Sequence, residues 1–252
     1  MHNPMLWVGL LLFIQMTCVW IVAMRIKNPS IIDVFWPVGL TLSGLLYLLT
    51  DTITLREFIF SSILIIWGLR LALFLYFTRI RKNIVDKRYI ELSKQWQGSI
   101  KVGFFLNFQL QAVLIFVISI PFYFSTLSTH DYLSLADKIG LILAMIGIIG
   151  ETTADIQLQN FKSKRLGKVC NVGLWNYSRH PNYFFDWLTW VGFSLTGLSV
   201  NYGWIGLISP ITLYLIMTQV TGPMTEQGSI QSKGQAYLEY QKKTAMFFPW
   251  LK

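Results

Sequence analysis

Residues 173–186 read GLWNYSRHPNYFFD and set Arg179, His180, Asn182, Tyr183 and Asp186 at the mouth of a strongly apolar segment, WLTWVGFSLTGLSV. Polar groups at the edge of a bilayer are costly and usually have a task. A guanidinium such as Arg179 suits a phosphate through paired hydrogen bonds. Asn182 offers a donor and an acceptor and Asp186 an acceptor, the mixture that ribose hydroxyls or a carboxamide require. Asn182 and Asp186 are four residues apart, with Trp190 one turn further, so the three share one helix face.

A second polar stripe precedes this loop in ETTADIQLQNFK, where Glu151, Asp155, Gln159 and Lys162 recur at the spacing of one face of a continuing helix. Taken alone, such a stripe is equally what a solvated helix face looks like. The neighbouring loop supplies the context: Lys162, Lys164, Arg165 and Lys168 add cations suited to phosphate groups, and Asp155 adds a hydroxyl acceptor. Together they point to a polar, partly anionic ligand presented from the cytosol. The chain has no GxGxxG after a strand and no Walker-type glycine loop, so a nucleotide would have to bind among helices.

Two further charges fall inside apolar segments, Asp33 and Arg70. A bare charge near the bilayer centre costs at least ~2.5–3.5 kcal/mol on insertion scales, so each is expected to face protein or a wet cavity. Asp33 lies close enough to its segment's start to fit an interfacial carboxylate as well, and Arg70 also fits a snorkelling side chain. The aromatic residues Phe184, Phe185, Trp187 and Trp190 fit an interfacial belt better, one by one, than ligand contacts.

The elements that must position these residues are membrane helices. Of the 252 residues 54% are hydrophobic and 13% charged, far from the roughly 25% charged content of soluble domains. The expected fold class is all-α and integral to the membrane. Segments of roughly 4–24, 31–50, 58–78, 102–124, 135–152, 183–200 and 203–220 approach the length of about 20 residues needed to cross. The first lacks a basic leader and a small-residue cleavage site, so it is expected to be a retained helix. All Lys and Arg residues except Arg56, Arg70 and Lys138 fall on alternate loops. The positive-inside rule then places the N-terminus outside and the C-terminus in the cytoplasm after seven crossings. Cys18 and Cys170 form no disulfide framework or zinc set, and His2, His130 and His180 are too scattered for a metal site. The net charge of +9 fits this loop bias, and no nucleic-acid motif accompanies it.

Four blocks resemble the steroid 5-alpha-reductase-like membrane family, in particular its bacterial branch of unassigned function. They are SIIDVFWPVG, IWGLRLALFLYFTRIRKNIVDKRY, the pair ETTADIQLQNFK and GLWNYSRHPNYFFDWLTWVGFSL, and the tail from Glu226 to Pro249. The RHPNY block also resembles sterol C14 reductases and isoprenylcysteine methyltransferases. The resemblance implies a single seven-helix domain, with substrate-side helices in 1–127 and cofactor-binding helices and a cytoplasmic tail in 128–252. It implies NADPH contacts at Arg70, Arg81, Asp155, Lys162, Asn182 and Asp186, beside Glu151 and Gln159 of the same stripe. Arg179, His180 and Tyr183 belong to the shared loop, and Glu226, Tyr237 and Tyr240 to the tail. Glu151 stands where the animal steroid reductases have asparagine, and Asp186 replaces a glutamate.

A reductase of this kind passes hydride to the beta carbon of an activated alkene while the protein polarises the conjugated carbonyl. By the resemblance the polarising positions fall on Asp33 and Trp67. Asp33 is expected to act as a neutral hydrogen-bond donor in an apolar site, with Trp36 and Trp67 shaping the substrate pocket. The expected substrate is a lipid, steroid-like or another apolar enone, the surroundings are membrane lipids of a bacterial inner membrane or endoplasmic reticulum, and the expected state is a monomer. Two readings stay open beside it: a membrane methyltransferase using S-adenosylmethionine in the same cradle, and a non-catalytic lipid-binding protein.

Overall fold

The computed structural model describes residues 3–50, 53–128, 132–164 and 167–249. His130, Arg165, Trp250 and Lys252 lie outside the described residues. The described residues form helices joined by turns and loops, and among them the β-type contact is one isolated bridge, Ser178 with Ala245. Helices α1 (Pro4–Ile26), α2 (Ile31–Leu48), α3 (Leu55–Leu75), α4 (Lys87–Lys94) and α5 (Ile100–Thr126) are followed by α6 (Leu135–Lys164) and α7 (Pro181–Leu195). The chain ends in α8 (Ile208–Leu215), α9 (Gly222–Lys233) and α10 (Gln235–Lys243). Among the described residues six helical segments are long and apolar enough to cross a membrane: 4–26, 31–48, 55–80, 100–126, 135–164 and 203–233.

The sequence segment 183–200 behaves differently from the expectation. It forms the 15-residue α7, then a run of turns to Tyr202, whose φ of 63° is left-handed. At 1.5 Å per residue α7 is about 22 Å long, short of a hydrocarbon core of about 30 Å. The stripe from Glu151 to Lys162, by contrast, lies on one unbroken α6, as its spacing requires.

The chain divides into two compact units: residues 1–138 with 194–209, and residues 139–193 with 210–252. In the first, α2 packs against α1, α3 and α5, and α1 also packs against α5. The buried stripe of α1 (Val8, Leu12, Met16, Val19, Ala23) recurs every three or four residues, while its other apolar residues stay exposed, as lipid allows. The α2–α3 approach needs a residue without a side chain at Gly68, where an added Cβ would lie 1.9 Å from Thr41 Oγ1.

Arg56 is fully buried in this unit and joins four pieces of chain. Its Nε and Nη2 donate to Asp137 at 3.2 and 3.0 Å, and Nη1 donates to Glu57 at 3.2 Å. The guanidinium also donates to the carbonyls of Ser125 and Thr196 at 2.9 and 2.7 Å. Glu57 in turn completes a capping box with Thr54 at the start of α3.

In the second unit α6 and α7 cross closely. A Cβ on Gly192 would meet the Gly140 carbonyl at 2.4 Å and the Ala144 amide nitrogen at 2.6 Å, so the crossing depends on glycine there. Phe161, Cys170 and Trp175, with Leu158, form a small core that folds the following loop back onto α6.

Replacing Arg56 by alanine leaves Glu57 and Asp137 buried without their cation, at an expected cost of about 3–5 kcal/mol. The unfolding temperature of the detergent-purified Arg56→Ala protein should fall sharply. Arg56→Lys should recover only part of the loss, because an ammonium cannot reproduce the paired bonds to Asp137.

Candidate functional site

The loop between α6 and α7 is tied down at both ends. Its Trp175 indole donates to the Ala154 carbonyl at 2.9 Å, and the Leu174 amide donates to Gln157 at 2.9 Å. The Tyr240 hydroxyl donates to the Trp175 carbonyl, and the Ser178 hydroxyl lies within hydrogen-bond reach of the Met246 and Phe247 carbonyls. Burial pushes the hydroxyls of Tyr237 and Tyr240 well above the ordinary tyrosine range, so both remain neutral donors.

At the end of this loop, two residues before α7, Arg179 faces inward. Its Nε and Nη2 donate to Glu226 of α9 at 2.6 and 3.2 Å, and its Nη1 donates to the carbonyls of Thr244 and Gln241 at 2.6 and 3.2 Å. Glu226 is further held by Gln241 at 2.6 Å and lies 3.1 Å from His180 Nε2. The His180 ring stacks on Tyr183, centroids 5.0 Å apart. The sequence expectation gave Arg179 to a ligand phosphate. The structure instead uses its guanidinium to clamp loop, α9 and tail together, because the buried Glu226 and the tail carbonyls take its donors.

The remaining residues named from the sequence in this unit lie on α6 and α7. Glu151 and Asp155 are buried on α6, and Asp186 is buried on α7. Asn182, one turn before Asp186, has a buried Oδ1 without a hydrogen-bond partner. Gln159 is half-buried and Lys162 exposed, so the α6 face passes from buried acids to an exposed cation. Lys164 and Lys168 are exposed beyond it. This fits one part of a dinucleotide well: acceptors and an orphaned amide oxygen inside for hydroxyl or carboxamide groups, and cations outside for phosphate.

In the first unit Asp33 is not an isolated carboxyl in an apolar pocket. One oxygen accepts from Arg88 at 2.9 Å and from Arg79, and the other accepts from the Tyr89 hydroxyl at 2.6 Å. Asp86 joins the same group, paired with Arg88 at 2.9 Å and Arg79 at 3.2 Å. A π-helical turn at Tyr76–Ile80 after α3 changes the side-chain register just where Arg79 is needed. Burial next to the Asp33 carboxylate raises the Tyr89 hydroxyl well above its usual value, which keeps it the donor of this pair. The expectation that Asp33 donates to a substrate therefore gives way to an acceptor hub that holds α2, the turn after α3 and α4 together. Trp67 is fully buried; Trp36 is half-buried, and its indole N–H is buried without a hydrogen-bond partner. Arg70 is half-buried on α3, and Arg81 is exposed with its guanidinium 5.6 Å from the Phe77 ring centroid.

The protein-family comparison matches residues 19–244 to DUF1295, described as proteins of unknown function. The chain belongs to the DUF1295 family. DUF1295 proteins are membrane proteins related to the steroid 5-alpha-reductases. An uncharacterized protein of Schizosaccharomyces pombe is 27% identical over 288 aligned positions, covering 99% of this chain and 80% of the relative. No solved structure matches. Three groups of this DUF1295 protein escaped the sequence reading: the Arg56 cluster, the Arg79–Asp33 pair and the Glu226–Gln241 bond. None of the three had a spacing signal, since the partners lie 81, 46 and 15 residues apart.

Arg179→Ala is expected to cost about 3 kcal/mol, because Glu226 stays buried without its guanidinium. Limited proteolysis should then cleave residues 234–249 faster than in the parent, with α1–α5 unaffected. A second outcome concerns pH. Burial alone would raise the Asp86 carboxyl, but the hydrogen bonds and charges of Arg88 and Arg79 outweigh it and hold its pKa below the ordinary 3.8. A depressed folded value stabilises the docked α4 above pH 3.8 and is lost as pH falls through the lower folded value. The protection factors of the α4 amides, corrected for the intrinsic pH dependence of exchange, should therefore be constant from pH 7 to 5 and fall only under strongly acidic conditions.

Proposed function

We propose that this protein is an NADPH-dependent membrane reductase that saturates an activated carbon–carbon double bond of a lipid. The observation that carries the reading is the inner face of the second unit, where the unpartnered Oδ1 of Asn182 accompanies the buried carboxylates of Asp155 and Asp186. Family membership beside the steroid 5-alpha-reductases supports it.

In this reading NADPH supplies a hydride. Asn182, Asp155 and Asp186 hold its hydroxyl and carboxamide groups, Glu151 and Gln159 extend that face, and Lys162 with its neighbours holds phosphate. Arg179, Glu226, Tyr237 and Tyr240 act by keeping the loop rigid, and His180 with Tyr183 forms its stacked edge. In the first unit Trp36 is the donor for a carbonyl oxygen, on which negative charge develops as the alkene accepts hydride at its β carbon, and a proton from water at the α carbon completes the saturation. Trp67 walls the apolar side, and Asp33 positions the surrounding turn. Low-charge surroundings and abundant exposed apolar surface suit a lipid substrate, a monomer, and no nucleic-acid partner.

The accompanying topology has seven crossings, α7 together with the turns that follow it to Tyr202 completing the sixth, with the N-terminus outside and the cofactor face cytoplasmic in a bacterial inner membrane or endoplasmic reticulum. The loop charge bias supports this arrangement. A second reading has an observation of its own. Buried Glu151, Asp155 and Asp186 make the second unit rich in carboxylates, which suits the cationic sulfonium of S-adenosylmethionine and a methyltransferase.

Thermal unfolding of the purified protein with NADPH, NADH or S-adenosylmethionine separates these readings, because a ligand that prefers the folded state raises its stability. NADPH at a hundred times its Kd should add about 2.7 kcal/mol, and Asn182→Ala should reduce that shift. With an enone lipid, Trp36→Phe should lower kcat while the NADPH shift persists. A shift with S-adenosylmethionine alone makes the protein a methyltransferase, and no shift with any of the three leaves a lipid-binding protein.

A further inference from the structure

The charge hub around Asp33 has an effect on the surface beside it. Arg79 and Arg88 turn inward to Asp33 and Asp86, and Lys94 pairs with Glu91 at 2.7 Å. All the acids of residues 25–33 and 79–101 are thereby engaged. Left exposed are Arg25, Lys27, Arg81, Lys82, Lys87 and Lys101, none with an ion-pair partner among the described residues. They lie at the end of the first unit where α1 finishes, α2 begins, α3 finishes and α5 begins.

The same end is apolar between its cations. Ile26, Ile84, Ile90 and Ile100 expose 43–55% of their surface, and α4 buries only Tyr89. These residues continue the exposed surfaces of α1 and α5, including Ile21, Val22, Val102 and Leu106, that hydrocarbon must cover. The segment is held in place rather than floating. The Asp86 amide donates to Ser30 at 2.7 Å, Asn28 donates to the Ile84 carbonyl at 3.4 Å, and the Trp20 indole donates to the Lys101 carbonyl at 3.0 Å. Trp96 packs edge-on against Phe104 at 4.8 Å, adding a second indole to this end.

We propose that this rim is a docking surface for anionic phospholipid headgroups of the leaflet in which the helices sit, with α4 lying in the interface. Apolar side chains reaching the acyl boundary between unpaired cations are the pattern by which a fixed surface selects anionic over zwitterionic lipid. Internal pairing of the arginines matters to the selection. It removes every local acid that would compete with a lipid phosphate, and leaves lysines on flexible stems to reach it. This inference is independent of the cofactor reading.

The test is lipid competition on the full-length protein. The protein is exchanged from mixed phosphatidylcholine and phosphatidylglycerol micelles, and the lipids it retains are counted by native mass spectrometry. The parent should prefer phosphatidylglycerol, and added salt should weaken that preference. Each neutralised lysine should lower it about five-fold, so Lys82→Gln/Lys87→Gln/Lys101→Gln together should lower it about a hundredfold. The corresponding triple arginine variant should keep it. The unfolding temperature in phosphatidylcholine alone should match the parent in both variants, which separates headgroup binding from folding. Equal retention of the two lipids by the parent overturns the proposal, as does an unchanged preference in the glutamine variant. Displacement of phosphatidylglycerol by an equal concentration of glycerol phosphate would also overturn it, by showing a site for soluble phosphate.

Discussion

The pairing of Arg179 with Glu226 is the constraint on which the second unit depends. Removing two charges from water costs several kcal/mol per ion, and the loss is recovered only where geometry and further hydrogen bonds are good. Both conditions hold here. Arg179 spends its bonds on the two oxygens of Glu226 and on two tail carbonyls, while Gln241 takes up a remaining lone pair of Glu226. Because these groups come from the α6–α7 loop, α9, α10 and the tail, one ion pair determines the path of four pieces of chain. The loop that results is stiff, and it delivers Asn182 to the start of α7 with its amide oxygen still unsatisfied.

The features that repeat along one helix were legible in the sequence. The stripe from Glu151 to Lys162 lies on a continuous α6 because a three- and four-residue spacing describes a face wherever the helix runs. Six long apolar helices follow from hydropathy for the same local reason. The short α7 did not follow, because a window of apolar residues takes no account of the turns at Gly197 to Tyr202 that end it. Nor does hydropathy tell which side of α1 packs. Lipid is as apolar as leucine, so the buried stripe at Val8, Leu12 and Met16 is spelled in the same letters as the lipid face.

Contacts between distant residues were the illegible part, and they include the ones that reassign chemistry. Arg79 and Asp33 are 46 residues apart, and Arg56 and Asp137 are 81 apart. Neither pair has a spacing signature, and Arg56 reads in the sequence as one more loop charge. Asp33 changes meaning most. Placed by resemblance it is a donor to substrate, whereas with both oxygens accepting from Arg79, Arg88 and Tyr89 it is a positioning group. In the proposed reading the polarising role would pass to Trp36, which the sequence treated only as a wall. Trp36 follows Asp33 by three residues on α2, and its N–H is buried without an acceptor.

The clamp also bears on the choice between hydride and methyl transfer. With Arg179 committed to Glu226, the inner face of the second unit presents Glu151, Asp155 and Asp186, while its exposed cations begin at Lys162. An anionic ligand therefore meets that face with its phosphates outward and its neutral or cationic end inward. Carboxylates bind such an end better the more positive it is, but catalysis depends only on what changes between ground state and transition state. A nicotinamide ring gains positive charge as hydride departs, so nearby carboxylates favour the transition state over the bound reactant. A sulfonium loses its charge as methyl departs, so the same carboxylates would hold the reactant more tightly than the transition state. Under the proposed reading, the acid-rich face would suit the binding of either cofactor but would assist only the departure of hydride.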